Sequence, residues 1–214
     1  MFFDLFHQVL LFVKENEVDP TFQPYNFATL QLQRMKITLL IVGKTEDAYL
    51  KDGIDKYLKR LKFYAKIEIA EIAELKNTKA LTEQQQKTKE AELILKKLTA
   101  NDYVILLDEK GMELSSPQFA AYLDKKAIGS VTNLVFIVGG PYGFDQSIYQ
   151  RANDKLSLSR MTFSHQMVRL FFVEQLYRAF TIIKGEPYHH SWPKRRNRQY
   201  FVKYLNLLQK KYSF

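Results

Sequence analysis

Eight residues, VGGPYGFD from Val138 to Asp145, hold three glycines and a proline directly behind the apolar run NLVFIV. A loop this free of side chains presents its bare backbone. Gly139 and Gly140 let a ligand lie against the main chain, and Gly143 permits a positive φ just before a helix that Asp145 can cap. The spacing G-G-x-x-G is not the dinucleotide fingerprint, and no Walker lysine follows it. Taken alone, the stretch also fits an ordinary tight turn. A second stretch, LSLSRMTFSHQMVR from Leu156 to Arg169, supplies Ser157, Ser159, Thr162 and Ser164, one basic residue, and His165 at the mouth of a helix. Alone, these would be turn and cap residues, and His165 reads as a packing or capping residue. The chain has no cysteine, which removes disulfides, thiolate zinc sites and cysteine nucleophiles together. Its four scattered histidines do not make a metal site.

The elements that must position these loops follow from the apolar patterning. KITLLIVG (36–43) is a continuous apolar run of strand length, and DAYLKDGIDKYLKRL behind it carries apolar residues near helical spacing. KIEIAEI (66–72) alternates strictly, the mark of a strand with one wet face. A helix is expected over 82–98, opened by a Thr and closed by lysines. Then come a strand over 103–107, a helix from SSPQFAAYLDKK with Ser at its cap and Pro in its first turn, and a strand over 132–138. A short helix in FDQSIYQRA, a short strand in DKLSLS and a long apolar helix over 165–185 complete the order. Strands alternating with helices, several of them apolar on both faces, mean an α/β fold: a parallel sheet covered by helices. In such sheets ligands sit beyond the carboxyl ends of strands, the position VGGPYGFD occupies.

With 214 residues, 46% apolar and 26% charged, the chain has the composition of an ordinary soluble protein with room for one sizeable core. No run reaches a membrane span. The start MFFDLFHQVLLFV is interrupted by Asp4 and His7 and lacks a basic region before it, so the protein reads as cytoplasmic rather than secreted. The net charge of +9 points toward a polyanion. Its distribution is uneven: Lys194, Arg195, Arg196, Arg198, Lys203, Lys210 and Lys211 lie in 191–214 with no acid, residues 1–34 carry −2, and 35–190 carry +4. Regular patterning begins at Met35. The expected organisation is an N-terminal appendage over 1–34, upstream of a true start at Met35 or an added segment, a domain over 35–190, and a basic aromatic tail over 191–214.

Together, VGGPYG, LSLSRMTFSHQMVR, EQLYRAF and GEPYHH resemble the family of ribosomal large subunit methyltransferase H, within the SPOUT class of knotted methyltransferases. The resemblance runs from Met35 to about His190, with the four motifs in the family's order. It implies an α/β domain with a trefoil knot near its C-terminal end, a homodimer, and S-adenosylmethionine as the cofactor. It further implies methyl transfer to N3 of a pseudouridine in the helix 69 loop of 23S rRNA on the assembled 70S ribosome, with no membrane or DNA partner. Carried over by position, the cofactor-binding residues would be Leu107, Gly139, Leu158, Ser159, Arg160, Met161, Thr162 and Phe163. Leu107, Leu158, Met161 and Phe163 could form the apolar slot that an adenine needs. On the acceptor side the matching residues are Arg178, Tyr188 and His189. The N3 nitrogen becomes a good nucleophile only when its proton leaves, so His189 is the candidate base and Arg178 the cation that stabilises the anion.

Members of the family end within a few residues of the PYH motif, whereas this chain continues for 24 residues past His190. Two readings of that tail stay open. Phe201, Tyr204, Leu205 and Leu208 fall at helical spacing, so a basic helix could grip RNA together with Trp192 and Tyr200. The other reading is a frameshift or read-through product. For the whole chain, the competing function is a non-catalytic ribosome- or RNA-binding protein that keeps the knotted fold and uses only its basic surface.

Overall fold

The computed structural model describes Leu32, 34–75, 77–129 and 131–188. His189, His190, the tail over 191–214 and nearly all of the 1–34 segment lie outside the described residues. Five strands, β1 (Lys36–Val42), β2 (Lys66–Ile72), β3 (Asp102–Glu113), β4 (Asn133–Val138) and β5 (Asp154–Ser157), form one sheet in the order β2-β1-β4-β3-β5. Every pairing is parallel. The helices are α1 (Ala48–Leu61), α2 (Glu83–Lys97), α3 (Ser116–Ile128), α4 (Gln146–Arg151) and α5 (His165–Ile183). No helix among the described residues is long and apolar enough to cross a membrane.

Two apolar layers sandwich the sheet. On one face Phe119, Leu123, Phe172, Leu176 and Phe180 of α3 and α5 pack on Ile37, Leu39 and Phe136. On the other, Ala91 and Ile94 of α2 and Ile148 of α4 cover Leu40, Val104, Val135 and Ile137. β1, β3 and β4 bury side chains on both faces, the pattern their unbroken apolar runs predict. β2, at the sheet edge, keeps Lys66 and Glu68 exposed with Ile67 and Ile69 half-buried, but the expected strict alternation breaks at Ala70: Glu71 is exposed and Ile72 buried.

Local chemistry fixes the helix starts. Thr82 and Gln85 at α2, and Ser115 and Gln118 at α3, form reciprocal capping boxes. Asp145 caps α4: one carboxylate oxygen accepts from the Ser147 amide at 2.9 Å, and the other accepts from Gln84 Nε2 at 2.8 Å and Thr88 Oγ1 at 3.1 Å. That tie holds α4, and the loop before it, against α2. Ser164, whose hydroxyl accepts from the Met167 amide, caps α5, and His165 is the first helical residue.

One strand is longer than its apolar core predicts. The expected strand ends at 107, yet β3 continues to Glu113, because β5 pairs with it in two registers: Leu107 opposite Leu156, then Met112 opposite Leu156 and Glu113 opposite Ser157. Gly111 makes the second register possible. A Cβ there would lie 2.5 Å from the carbonyl carbon of Leu156 and 2.7 Å from the amide nitrogen of Ser157.

At the amino end of β5, Asp154 accepts hydrogen bonds from Tyr103 and Tyr122 at 2.6 Å and pairs with Lys126 at 2.9 Å. Burial pushes the Asp154 carboxyl up, but the three donors outweigh it and hold it below the usual carboxylate range. A depressed folded-state pKa means that this group stabilises above the unfolded value and loses that contribution as pH falls through the folded one. Asp154→Asn is therefore expected to lower the melting temperature at pH 7, with the gap from wild type closing below about pH 4; scanning calorimetry across pH measures it.

Candidate active site

Three neighbouring strands end together at the carboxyl edge of the sheet. Leu107 of β3 lies opposite Val138 of β4 on one side and Leu156 of β5 on the other. The chain leaves β4 directly into Gly139 and β5 directly into Leu158. The register thus brings Leu107, Gly139 and Leu158 to the same edge of the sheet. Leu107 and Leu158 both pack against the same core cluster.

The first loop folds on itself. The Gly143 amide donates to the Gly140 carbonyl at 3.1 Å, the two glycines form an antiparallel bridge, and Gly143 adopts φ +78°. A Cβ on Gly139 would meet the Phe144 ring at 3.1 Å, and one on Gly140 would meet the Glu90 carboxylate at 2.5 Å. The bareness of the loop is thus required by its own packing as well as by any ligand beside it.

In the second loop, Ser157 Oγ donates to the Ser159 carbonyl at 2.9 Å, and Ser159 Oγ accepts from the Met161 amide at 2.9 Å. Arg160 pairs with Glu113 at 2.9 Å and Thr162 Oγ1 donates to Glu109 at 3.4 Å, so the polar side chains fasten the loop to the extended part of β3. The apolar ones stay outside: Met161 is 73% exposed, and Phe163, edge-on to Phe171 at 4.9 Å, is 36% exposed. Apolar side chains held out by a pinned loop form a wall for a flat ligand.

A buried arginine anchors the start of α5. Arg169 is 0% exposed; Nη2 donates to the Val42 carbonyl at 2.7 Å, Nη1 to Thr45 Oγ1 at 3.0 Å, and Nε has no partner. Burial pushes this guanidinium down, and the carboxylates of Glu71, Glu46 and Glu74 oppose the shift. Gln166 adds a bond from Nε2 to the Lys44 carbonyl at 3.1 Å. The turn after β1 is thereby tied to the helix that follows the second loop. Arg169→Met leaves the Val42 carbonyl buried without its donor, and a loss of about 2–3 kcal/mol is expected, read in a thermal melt as a fall of about 5–10 °C.

The acceptor-side residues form a separate cluster. Arg178 pairs with Glu174 at 2.5 Å and lies 4.9 Å over the ring of Tyr188. The Tyr188 hydroxyl donates to the same Glu174 oxygen at 3.2 Å and lies 3.4 Å from the Tyr57 hydroxyl. Tyr177 packs edge-on to Tyr188 at 4.8 Å. The Tyr188 phenol is pushed well above its usual range, by burial first and then by Tyr57 and Glu174, so it stays a neutral donor. Arg178 and Tyr188 are therefore brought together, while His189 lies outside the described residues. They are not brought to the loops: Arg178 is thirteen helical residues beyond His165, about 20 Å along α5.

Sequence reasoning passed over Gly111, Glu90, Arg169 and Glu174. Two of these left a trace. Gly111 is a lone glycine in an extended stretch, the mark of a close backbone approach. Arg169 precedes Phe172, Val173 and Leu176 by three, four and seven residues, which puts it on the buried stripe of α5.

A parallel α/β domain with two loops leaving the carboxyl ends of the strands on either side of β3 is the class the fold defines, and the family model described as predicted SPOUT methyltransferase matches it over residues 35–189. Relatives named ribosomal RNA large subunit methyltransferase H are similar over most of the chain. That of Flavobacterium johnsoniae is 57% identical over 157 residues, 73% of this chain and 100% of the relative. Those of Cytophaga hutchinsonii and Parabacteroides distasonis are 56% and 54% identical over 156 and 157 residues, again 73% of this chain and 100% of each relative. The chain belongs to the SPOUT methyltransferases, in the ribosomal RNA large subunit methyltransferase H family. Membership implies a methyl donor and, near the C-terminal end of the domain, the knot.

Proposed function

We propose that this protein transfers a methyl group from S-adenosylmethionine to N3 of a pseudouridine in the helix 69 loop of 23S rRNA, acting on the assembled 70S ribosome in the cytoplasm. The observation that carries the reading is the register Val138–Leu107–Leu156, which sets the two loops of the family's motifs side by side. The names of the relatives supply the substrate class. The residues present fit the donor: Leu107 and Leu158 give an apolar floor, Gly139 an approach without side chain, and Met161 and Phe163 an exposed wall, with Ser159, Arg160 and Thr162 holding that wall in shape.

S-adenosylmethionine supplies an electrophilic methyl carbon on a sulfonium. The residues of the chain prepare the nucleophile. His189 takes the N3 proton, Arg178 stabilises the anion that forms, and Tyr188 orients the base with its neutral hydroxyl. Held beside Leu107, Gly139 and Leu158, the donor would supply its methyl carbon to the deprotonated N3, with the neutral thioether as leaving group. Glu174 holds Arg178 and Tyr188 through one oxygen, so the two act as one positioned unit.

The distance of about 20 Å along α5 gives a homodimer a specific role. The C-terminal end of one subunit's α5 reaches the loops of the other, so that the partner subunit's Arg178 faces the bound donor. The positive charge carried by residues 191–214 supports a polyanionic substrate. His189→Ala and Arg178→Ala are expected to leave donor affinity within about twofold and to slow transfer about 100-fold, the usual weight of a general base or an anion-stabilising group. Unimpaired single-turnover rates would remove these roles. For the function as a whole, labelled methyl transfer is measured on 70S ribosomes lacking the modification, on free large subunits and on naked RNA. The 70S particle is expected to be the preferred acceptor; saturable RNA binding with no transfer to any of the three would favour a non-catalytic binding protein.

A further inference from the structure

The carboxylate of Glu90 stands against the first loop, although it comes from α2, a helix that carries none of the motif residues. It is 5% exposed. One oxygen accepts from Gln86 Nε2 at 2.8 Å. The space a side chain on Gly140 would need is taken by this carboxylate, with Oε2 2.5 Å and Oε1 2.9 Å from the Cβ position. Gly140 and Glu90 are thus fitted to each other.

Among the described residues no cation pairs with Glu90. Its surroundings are Gln86 on its own helix, Glu74 from the segment after β2, and the loop Gly139–Gly143, whose one ionisable side chain is Tyr142. Burial pushes the Glu90 carboxyl up, Gln86 draws it down, and Glu74 raises it further. A buried acid without a counter-charge is costly to keep, and a second acid beside it adds to the cost. A cationic ligand would reverse both effects.

We infer that Glu90 is the counter-charge for a cationic centre of the methyl donor, held at the loop Gly139–Gly143 from behind. The inference rests on the reading that S-adenosylmethionine is that donor. The donor has two positive centres, the sulfonium and the α-ammonium, and a buried carboxylate can serve either. The loops themselves carry no acid between Val138 and Phe144 or between Leu156 and Arg169, so the charge has to come from outside them, and α2 supplies it.

Three ligands separate the possibilities by calorimetric titration of the full chain. S-adenosylmethionine carries both charges, S-adenosylhomocysteine only the ammonium, and methylthioadenosine neither. Glu90→Gln keeps an oxygen to accept the Gln86 bond and removes the charge. Weakening of S-adenosylmethionine alone by tenfold or more assigns Glu90 to the sulfonium; equal weakening of the first two ligands, with methylthioadenosine unchanged, assigns it to the ammonium. Loss of affinity for all three alike, or for none, overturns the proposal, since either outcome leaves Glu90 a purely structural support of the loop. If wild type binds none of the three, the donor reading itself fails and the proposal with it. Should Glu90→Gln not fold, wild type decides alone: affinity for S-adenosylmethionine relative to methylthioadenosine must fall as pH is lowered and Glu90 takes up its proton, and a ratio that stays constant over the whole pH range in which the protein is folded overturns the proposal.

Discussion

Gly139→Leu is expected to abolish measurable binding of S-adenosylmethionine and, with it, methyl transfer, while the domain still folds. A Cβ at this position already meets Phe144 at 3.1 and 3.2 Å and the Gly143 carbonyl carbon at 3.4 Å. A larger side chain must turn either toward Phe144, a core residue edge-on to Tyr149, or toward the space beside Leu107 that is the proposed donor site. The first displaces the turn between Gly140 and Gly143, and the second fills the site. Overpacking of this kind costs about 1–3 kcal/mol of stability, whereas a loss of affinity of at least 100-fold corresponds to about 2.7 kcal/mol or more of binding. A melting curve and a titration of the same sample separate the two effects. Mixing this variant with Arg178→Ala extends the test to the dimer: if each site draws its loops from one subunit and Arg178 from the other, the mixed dimer keeps one intact site, and activity returns.

Gly111→Val should produce the largest loss of stability of any single substitution considered. The atoms in its way are main-chain atoms of Leu156 and Ser157 at 2.5–2.7 Å, and main chain inside a sheet cannot swing aside as a flexible side chain can. Strand β5 must separate from the extended part of β3, breaking the pairs Met112–Leu156 and Glu113–Ser157. The expected loss is about 3 kcal/mol or more, a fall in melting temperature of about 10 °C for a domain of this size. Because Ser157 leads directly into Leu158–Phe163, donor affinity should fall as well. An unchanged melting temperature would mean that the two chains do not cross as described.

The sequence displays much of the fold because apolar runs and caps are local signals. KITLLIV and NLVFIV could only be strands buried on both faces, and Thr82, Ser115 and Ser164 marked helix starts at which hydroxyl caps are formed. The extension of β3 was not legible, because DEKGME pairs only where β5 crosses it, a contact set by residues more than forty positions away. The candidate site was legible as two loops because both are short and compositionally unusual. The groups that support those loops were not. Glu90 sits in a helix of exposed lysines and glutamines, and nothing in EAELIL separates a buried acid from a solvated one. Glu174 likewise looks like one half of a surface ion pair until Tyr188, fourteen residues on, is found on the same oxygen. The cluster at Arg178 is the reverse case: Glu174, Arg178 and Tyr188 are close in sequence and close in space, yet Arg178 lies about 20 Å along α5 from the start of the helix behind the second loop.

Locating the transferred methyl group tests the proposed activity most directly. Ribosomes lacking the modification are incubated with the full chain and labelled S-adenosylmethionine, and the 23S rRNA is digested to nucleosides and to helix 69 fragments for mass spectrometry. Label is expected in a single nucleoside, a pseudouridine carrying one methyl on N3, within the helix 69 fragment. Label in another nucleoside, label elsewhere in the RNA, or no label from an enzyme that binds the donor would contradict that activity.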